Sequence, residues 1–196
     1  MSVTKVPAET AAALQRPVWL RAGFTAAFGA FATFWTGNAE LAGLWGENAF
    51  VVGKVVMAAF FVLASSMVWE YGKNENVPEK LRTALAAGAA LWALSGVVVI
   101  FMTSSVAVAV AAGIGLLSMG AAELIGGIRV RHEFVPARDH ITVGTVTALT
   151  GVALFIWHGP DLHAVAGTAG MGMILAAALL LISAAGLTHE ARQAKA

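Results

Sequence analysis

The stretch VAVAVAAGIGLLSMGAAELIGGI, residues 106–128, decides the fold. It holds one ionisable side chain, Glu123, and at about 1.5 Å per residue it is long enough to cross a hydrocarbon layer about 30 Å thick. Backbone groups in lipid must be satisfied within a helix or a closed barrel. The run lacks the polar and apolar alternation of a barrel strand and is rich in Ala and Leu, so it predicts a helix. Five further runs of the same kind lie at 18–35, 49–69, 81–102, 141–157 and 164–187, although Lys54 interrupts the second of them. Trp19, Trp35, Trp69 and Trp157 fall at segment ends, where an indole sits at headgroup level.

Composition agrees with these runs. The chain is 59% hydrophobic and 12% charged, against about 25% charged in an ordinary soluble domain. A soluble protein this poor in charge would expose large apolar patches. A net charge of +1 gives no basic stripe for nucleic acid, and the absence of cysteine excludes disulfides, thiolate metal sites and a cysteine nucleophile. Neither His132-Glu133 nor His189-Glu190 extends to a zinc-protease pair, and no phosphate loop or nucleophile elbow is present. These features predict a protein that is not an enzyme, with no cofactor and no metal.

Charge is sorted along the chain. Lys5, Arg16 and Arg21 lie in or just after the N-terminal region, Lys73, Lys80 and Arg82 in the second connection, Arg129, Arg131 and Arg138 in the fourth, and Arg192 and Lys195 in the tail. With six spans every Lys and Arg but Lys54 falls on one side, which the positive-inside rule makes cytoplasmic together with both termini. The other side carries Glu40, Glu47, His158, Asp161 and His163. Because Arg21 interrupts the first run and no clean cleavage site follows, that run is expected to be a retained span and not a signal peptide. The expected organisation is a cytoplasmic tail over 1–16, a six-helix membrane domain over 17–188, and a cytoplasmic tail over 189–196.

An internal repeat divides the membrane domain. GAFATFWTG at 29–37, GVVVIFMTS at 96–104 and GVALFIWHG at 151–159 each run from a glycine to Phe or Ile, then Trp or Met, one variable position, and Gly or Ser. Arg16, Arg82 and Arg138 precede the three glycines at nearly constant spacing. Three copies of a two-helix hairpin follow, at about 17–70, 81–128 and 140–188.

On Leu20-Arg21-Ala22-Gly23-Phe24 running to Gly29, on Phe34-Trp35-Thr36-Gly37 and on Ile156-Trp157-His158-Gly159-Pro160, the chain resembles the HdeD-like acid-resistance membrane proteins of bacteria. The resemblance extends over 16–187. It implies three hairpins in the cytoplasmic membrane and a link to survival in acid, and carries no residue-level mechanism. Where such proteins often have Pro after the interfacial aromatic, this chain has Thr36 and Thr103 and keeps only Pro160.

Several residues are candidates for a site. Glu123 sits about five residues, or roughly 7 Å, inside the cytoplasmic end of its span, and Arg21 lies at similar depth in the first. A structural pair, two interfacial groups or a proton-handling carboxylate all fit that placement. Lys54 is the lone cation of the outer half, with Glu47 as a nearby counter-charge. The segment containing His158, Asp161 and His163 reads as a polar turn, as a loop that gains positive charge when the outside acidifies, or as a divalent-metal loop without recognised spacing. Gly113, Gly120 and Gly127 in the fourth run recur every seven residues, Gly144 and Gly151 repeat that interval in the fifth, and both sets are expected to let helices pack closely, with a pore lined by small residues as the alternative. The expected partners are the lipid bilayer and a second copy or another membrane protein. The leading functional expectation is an acid-stress or envelope-stress membrane protein without catalysis; a small transporter or channel with Arg21, Glu123 or Lys54 on its path is the alternative.

Overall fold

A computed structural model describes residues 5–35, 48–157 and 161–193. The described residues form six long helices and no strand: α1 (Ala8–Phe34), α2 (Ala49–Gly72), α3 (Glu79–Phe101), α4 (Ser105–Val130), α5 (Ala137–Ile156) and α6 (Leu162–Gln193). Helices α2 to α6 are each long and apolar enough to cross a membrane, which makes this an all-α, multi-pass membrane protein. Helix α2 qualifies in spite of Lys54. Helix α1 falls short, because Arg16 and Arg21 lie in its first half and Thr and Gly dilute its second. It also begins at Ala8, ahead of the run that starts at residue 18, and continues through Pro17, whose ring removes one backbone donor.

Each helix packs beside its neighbours in the chain, and α6 returns to α1, so the bundle is a closed ring. Its most extensive contacts are α1 with α6 and α4 with α5, while α1 with α2 and α5 with α6 touch more sparingly. Apolar attraction between helices is weak in lipid, so close approach of backbones must supply the packing energy. The glycines permit that approach. A Cβ on Gly113 would lie 3.1 Å from the Gly151 carbonyl oxygen, one on Gly127 2.8 Å from that of Ala137, and one on Gly151 2.8 Å from that of Gly113. One on Gly120 would fall on the Ala148 backbone, and one on Gly144 would meet Gly120 and the Glu123 side chain. The seven-residue series on α4 thus interlocks with Gly144 and Gly151 on α5. Gly29 and Gly170 make the corresponding approach between α1 and α6, and Gly96 approaches α2 at Ala58.

At mid-height the interior is aromatic. Phe28 stacks on Phe60 with centroids 4.0 Å apart, and the Trp92 ring meets Phe60 and Phe61 at 5.6 and 5.7 Å. The outside is apolar too: Phe34, Phe101, Ile156 and Ile182 are all more than 70% exposed. That is the surface of a protein solvated by lipid and a liability in water. Helices α1, α3 and α5 end alike, with Trp35, Met102 and Trp157 as their C-caps.

Candidate functional site

The ring has two differently charged ends. The basic end gathers the starts of α1, α3 and α5 and the ends of α2, α4 and α6. There α1 brings Arg21, α4 brings Glu123 and α5 brings His140 into one buried cluster. Arg21 donates to both carboxylate oxygens of Glu123, from Nη1 at 2.5 Å and Nη2 at 2.8 Å. His140 Nδ1 lies 2.9 Å from Glu123 Oε1. An ionised carboxylate only accepts, so this bond places the hydrogen on Nδ1. Arg21 is 6% exposed, Glu123 not at all, and His140 8%. A guanidinium fork on a carboxylate is the geometry that best compensates two desolvated charges, and the imidazole uses acceptor capacity that the fork leaves free.

A cavity of about 20 Å³ adjoins the cluster, lined by Arg21, Tyr71, Glu123, Asp139, His140 and Ser183 among others. Tyr71 of α2 sets its ring edge-on to His140, with centroids 4.9 Å apart. Its buried hydroxyl and the buried Arg21 Nε have no hydrogen-bond partner among the described residues. Ser183 Oγ of α6 donates to Asp139 Oδ2 at 2.5 Å across the neighbouring position.

The opposite end solves a different problem. Lys54 Nζ donates to the carbonyl oxygens of Ile100 at 3.0 Å and Met102 at 2.7 Å, and stands 5.0 Å from the Phe50 ring centroid. Those carbonyls close α3 and have no helical N–H to accept from. Lys54 therefore caps a helix C-terminus, where the helix dipole favours a cation. Glu47, its expected neighbour, lies outside the described residues, as does His158. Asp161 Oδ1 accepts the Ala164 N–H, an N-cap for α6, and His163 sits in the first turn of that helix with its ring 6.4 Å from that of Trp35. The two described members of the His158 segment thus build the start of a helix. Among the described residues no group of three His, Asp or Glu side chains could hold a metal ion.

Similar depth made an Arg21–Glu123 pair one of three readings of the sequence, and the structure forms that pair; His140, Tyr71, Asp139 and Ser183 were missed. A signal for His140 was present: Arg138-Asp139-His140 are three consecutive ionisable residues directly before an apolar run, on the same side as the Arg21–Glu123 level. Tyr71 and Ser183 have no such mark, since their role depends on which helices are neighbours in the ring. No family model matches the chain, and neither any curated protein nor any solved structure matches it.

Proposed function

We propose that the chain is a six-span protein of the bacterial cytoplasmic membrane, similar to the HdeD acid-resistance proteins, that acts in acid or envelope stress without catalysis by limiting proton entry or by supporting a membrane partner. The observation that carries the non-conducting part is the mid-height packing of Phe28, Phe60, Phe61 and Trp92, which separates the Arg21–Glu123 cluster from Lys54. A transport path using both ends would have to pass through that packing. The acid-stress part rests on the sequence resemblance. Support for α1 as the sixth span comes from its lipid-facing residues Trp19, Leu20, Phe24 and Phe34 together with the neutralisation of Arg21 inside the bundle.

The threefold repeat has support in how its glycines are used. Gly29 approaches α6, Gly96 approaches α2 and Gly151 approaches α4, so each odd-numbered helix uses the same repeat position against the helix before it in the ring. Placing both termini in the cytoplasm follows from the segregation of Lys and Arg.

Deletion of the protein should lower survival at low external pH and leave growth at neutral pH unchanged; equal survival of the deletion strain overturns the acid-stress reading. Since the chain has no cysteine, single cysteines report topology without background. Positions 74 and 132 should label from the cytoplasm and position 158 from outside, and labelling of 132 and 158 from one side overturns the orientation.

A further inference from the structure

We infer that His140 is a proton-binding site, served from the basic end of the bundle through Asp139, which Ser183 holds by a hydrogen bond, with the Arg21–Glu123 pair as its fixed counter-charge. Its Nδ1–H is committed to Glu123 at 2.9 Å. Nε2, the atom that would take the proton, has no hydrogen bond to a described residue. The groups around it come from five helices: Arg21 from α1, Tyr71 from α2, Glu123 from α4, Asp139 on α5 beside His140 itself, and the neutral Ser183 from α6. Helix α3 contributes nothing to the cavity. With Nε2 unprotonated, Arg21 and Glu123 cancel and Asp139 leaves one negative charge. Protonation brings the set to two positive and two negative charges, so the buried imidazolium has a balance already in place.

Access is built on one side. The cavity of about 20 Å³ has room for one water, and Arg21 Nε and Tyr71 Oη are two buried polar atoms able to hold it. A wider, open pocket of about 210 Å³, with Arg138 and Glu190 on its wall, shares Pro136, Asp139, Ser183 and Leu187 with that cavity. The Ser183–Asp139 hydrogen bond lies at this shared wall. A hydronium ion in the outer pocket gives its proton to the Asp139 carboxylate and becomes water; the carboxylate passes that proton through the inner water to the Nε2 lone pair and is ionised again. Nothing else is made or broken. Toward the Lys54 end the next layer is Phe28, Phe60, Phe61 and Trp92, which carries no titratable group, so the site fills and empties through one mouth.

The inference stands apart from the acid-stress reading, because the site exists whether or not the protein protects cells. The test uses the full chain with His132, His158, His163 and His189 replaced by Gln, which leaves His140 as the one histidine. Nitrogen-15-labelled histidine is observed by NMR over roughly pH 5 to 8 in proteoliposomes of one selected orientation, with the pH of the two compartments set separately. The Nε2 signal should move to its protonated position as the compartment at the basic end is acidified, and stay still when only the other compartment is. Asp139→Asn should slow the appearance of the charged form by about tenfold or more, a barrier increase of about 1.4 kcal/mol. A ring that stays neutral throughout, or one that follows the compartment at the Lys54 end, overturns the inference, and an unchanged rate in Asp139→Asn overturns the route. Should the single-histidine protein fail to fold, the same signal is read in wild-type protein by subtracting the spectrum of His140→Gln.

Discussion

Arg21 and Lys54 are both cations set within long helices near opposite ends of one ring, and they are met by different chemistry. Arg21 is 6% exposed and is held by a full carboxylate through two bonds. Lys54 is half-buried and is held by the partial charges of two terminal carbonyls. Depth accounts for the difference. A side chain that keeps part of its surface at the interface needs only dipoles, whereas one sealed inside the bundle needs an opposite charge with its remaining lone pairs satisfied. The planar guanidinium suits the sealed position and the compact ammonium the open one.

The comparison breaks most readily at Glu123. Glu123→Gln leaves Arg21 buried beside a neutral amide and should cost about 3–5 kcal/mol in thermal or denaturant unfolding of the detergent-solubilised protein. Arg21→Gln should cost less, since His140 stays on the carboxylate, and the double change should cost less than the two single costs added. Strict additivity would show that the pair is not coupled. Next in size is Gly144→Ala, whose Cβ would lie 2.8 Å from that of Glu123. It should lose about 1–3 kcal/mol by forcing α4 from α5 and by loosening the Arg21 fork. Gly23→Ala, with nothing near the added methyl, should gain up to about 1 kcal/mol in the same assay, and equal effects of the two would remove the close-packing argument.

At the Lys54 end the expected changes are smaller. Lys54→Met keeps the chain length and removes the cap from α3, for about 1 kcal/mol, and a loss as large as that of Glu123→Gln would erase the distinction between the ends. Smallest of all is Glu70→Gln, which breaks the exposed pair with Lys73 at 2.8 Å and should change stability by less than about 0.5 kcal/mol.

The helices were legible wherever an apolar run fixed them. The run at 106–128 became α4 (Ser105–Val130), and 81–102 became α3 (Glu79–Phe101), because in lipid the backbone has no other way to bond itself. The first turns of α1 were not legible, since Glu9, Thr10, Gln15, Arg16 and Pro17 have the composition of a solvated tail. Depth made an Arg21–Glu123 pair one of three readings, as both lie a turn or so inside the same boundary, and the arrangement of α1 and α4 that decides among them is not written in either run. The partners of Lys54 could not, because backbone carbonyls leave no trace in a sequence and Glu47 was the nearest visible acid. His140 stands beside Arg138 and Asp139 just before the apolar run of α5, with nothing in the run itself to show that it turns inward. Only the packing of α2, α4 and α5 in the bundle puts it between Glu123 and Tyr71.

Closure of the ring also has a consequence in time. Glu123 follows Arg21 by 102 positions, and α6, with which α1 makes its broadest contact, leaves the ribosome only after α2 to α5. At about 5–20 residues per second, Arg21 waits on the order of 5–20 s before its counter-charge has even been synthesised. Through that interval the least apolar helix of the protein has no partner that neutralises it. Arg21 stays without the carboxylate that holds it until most of three more helices have been made.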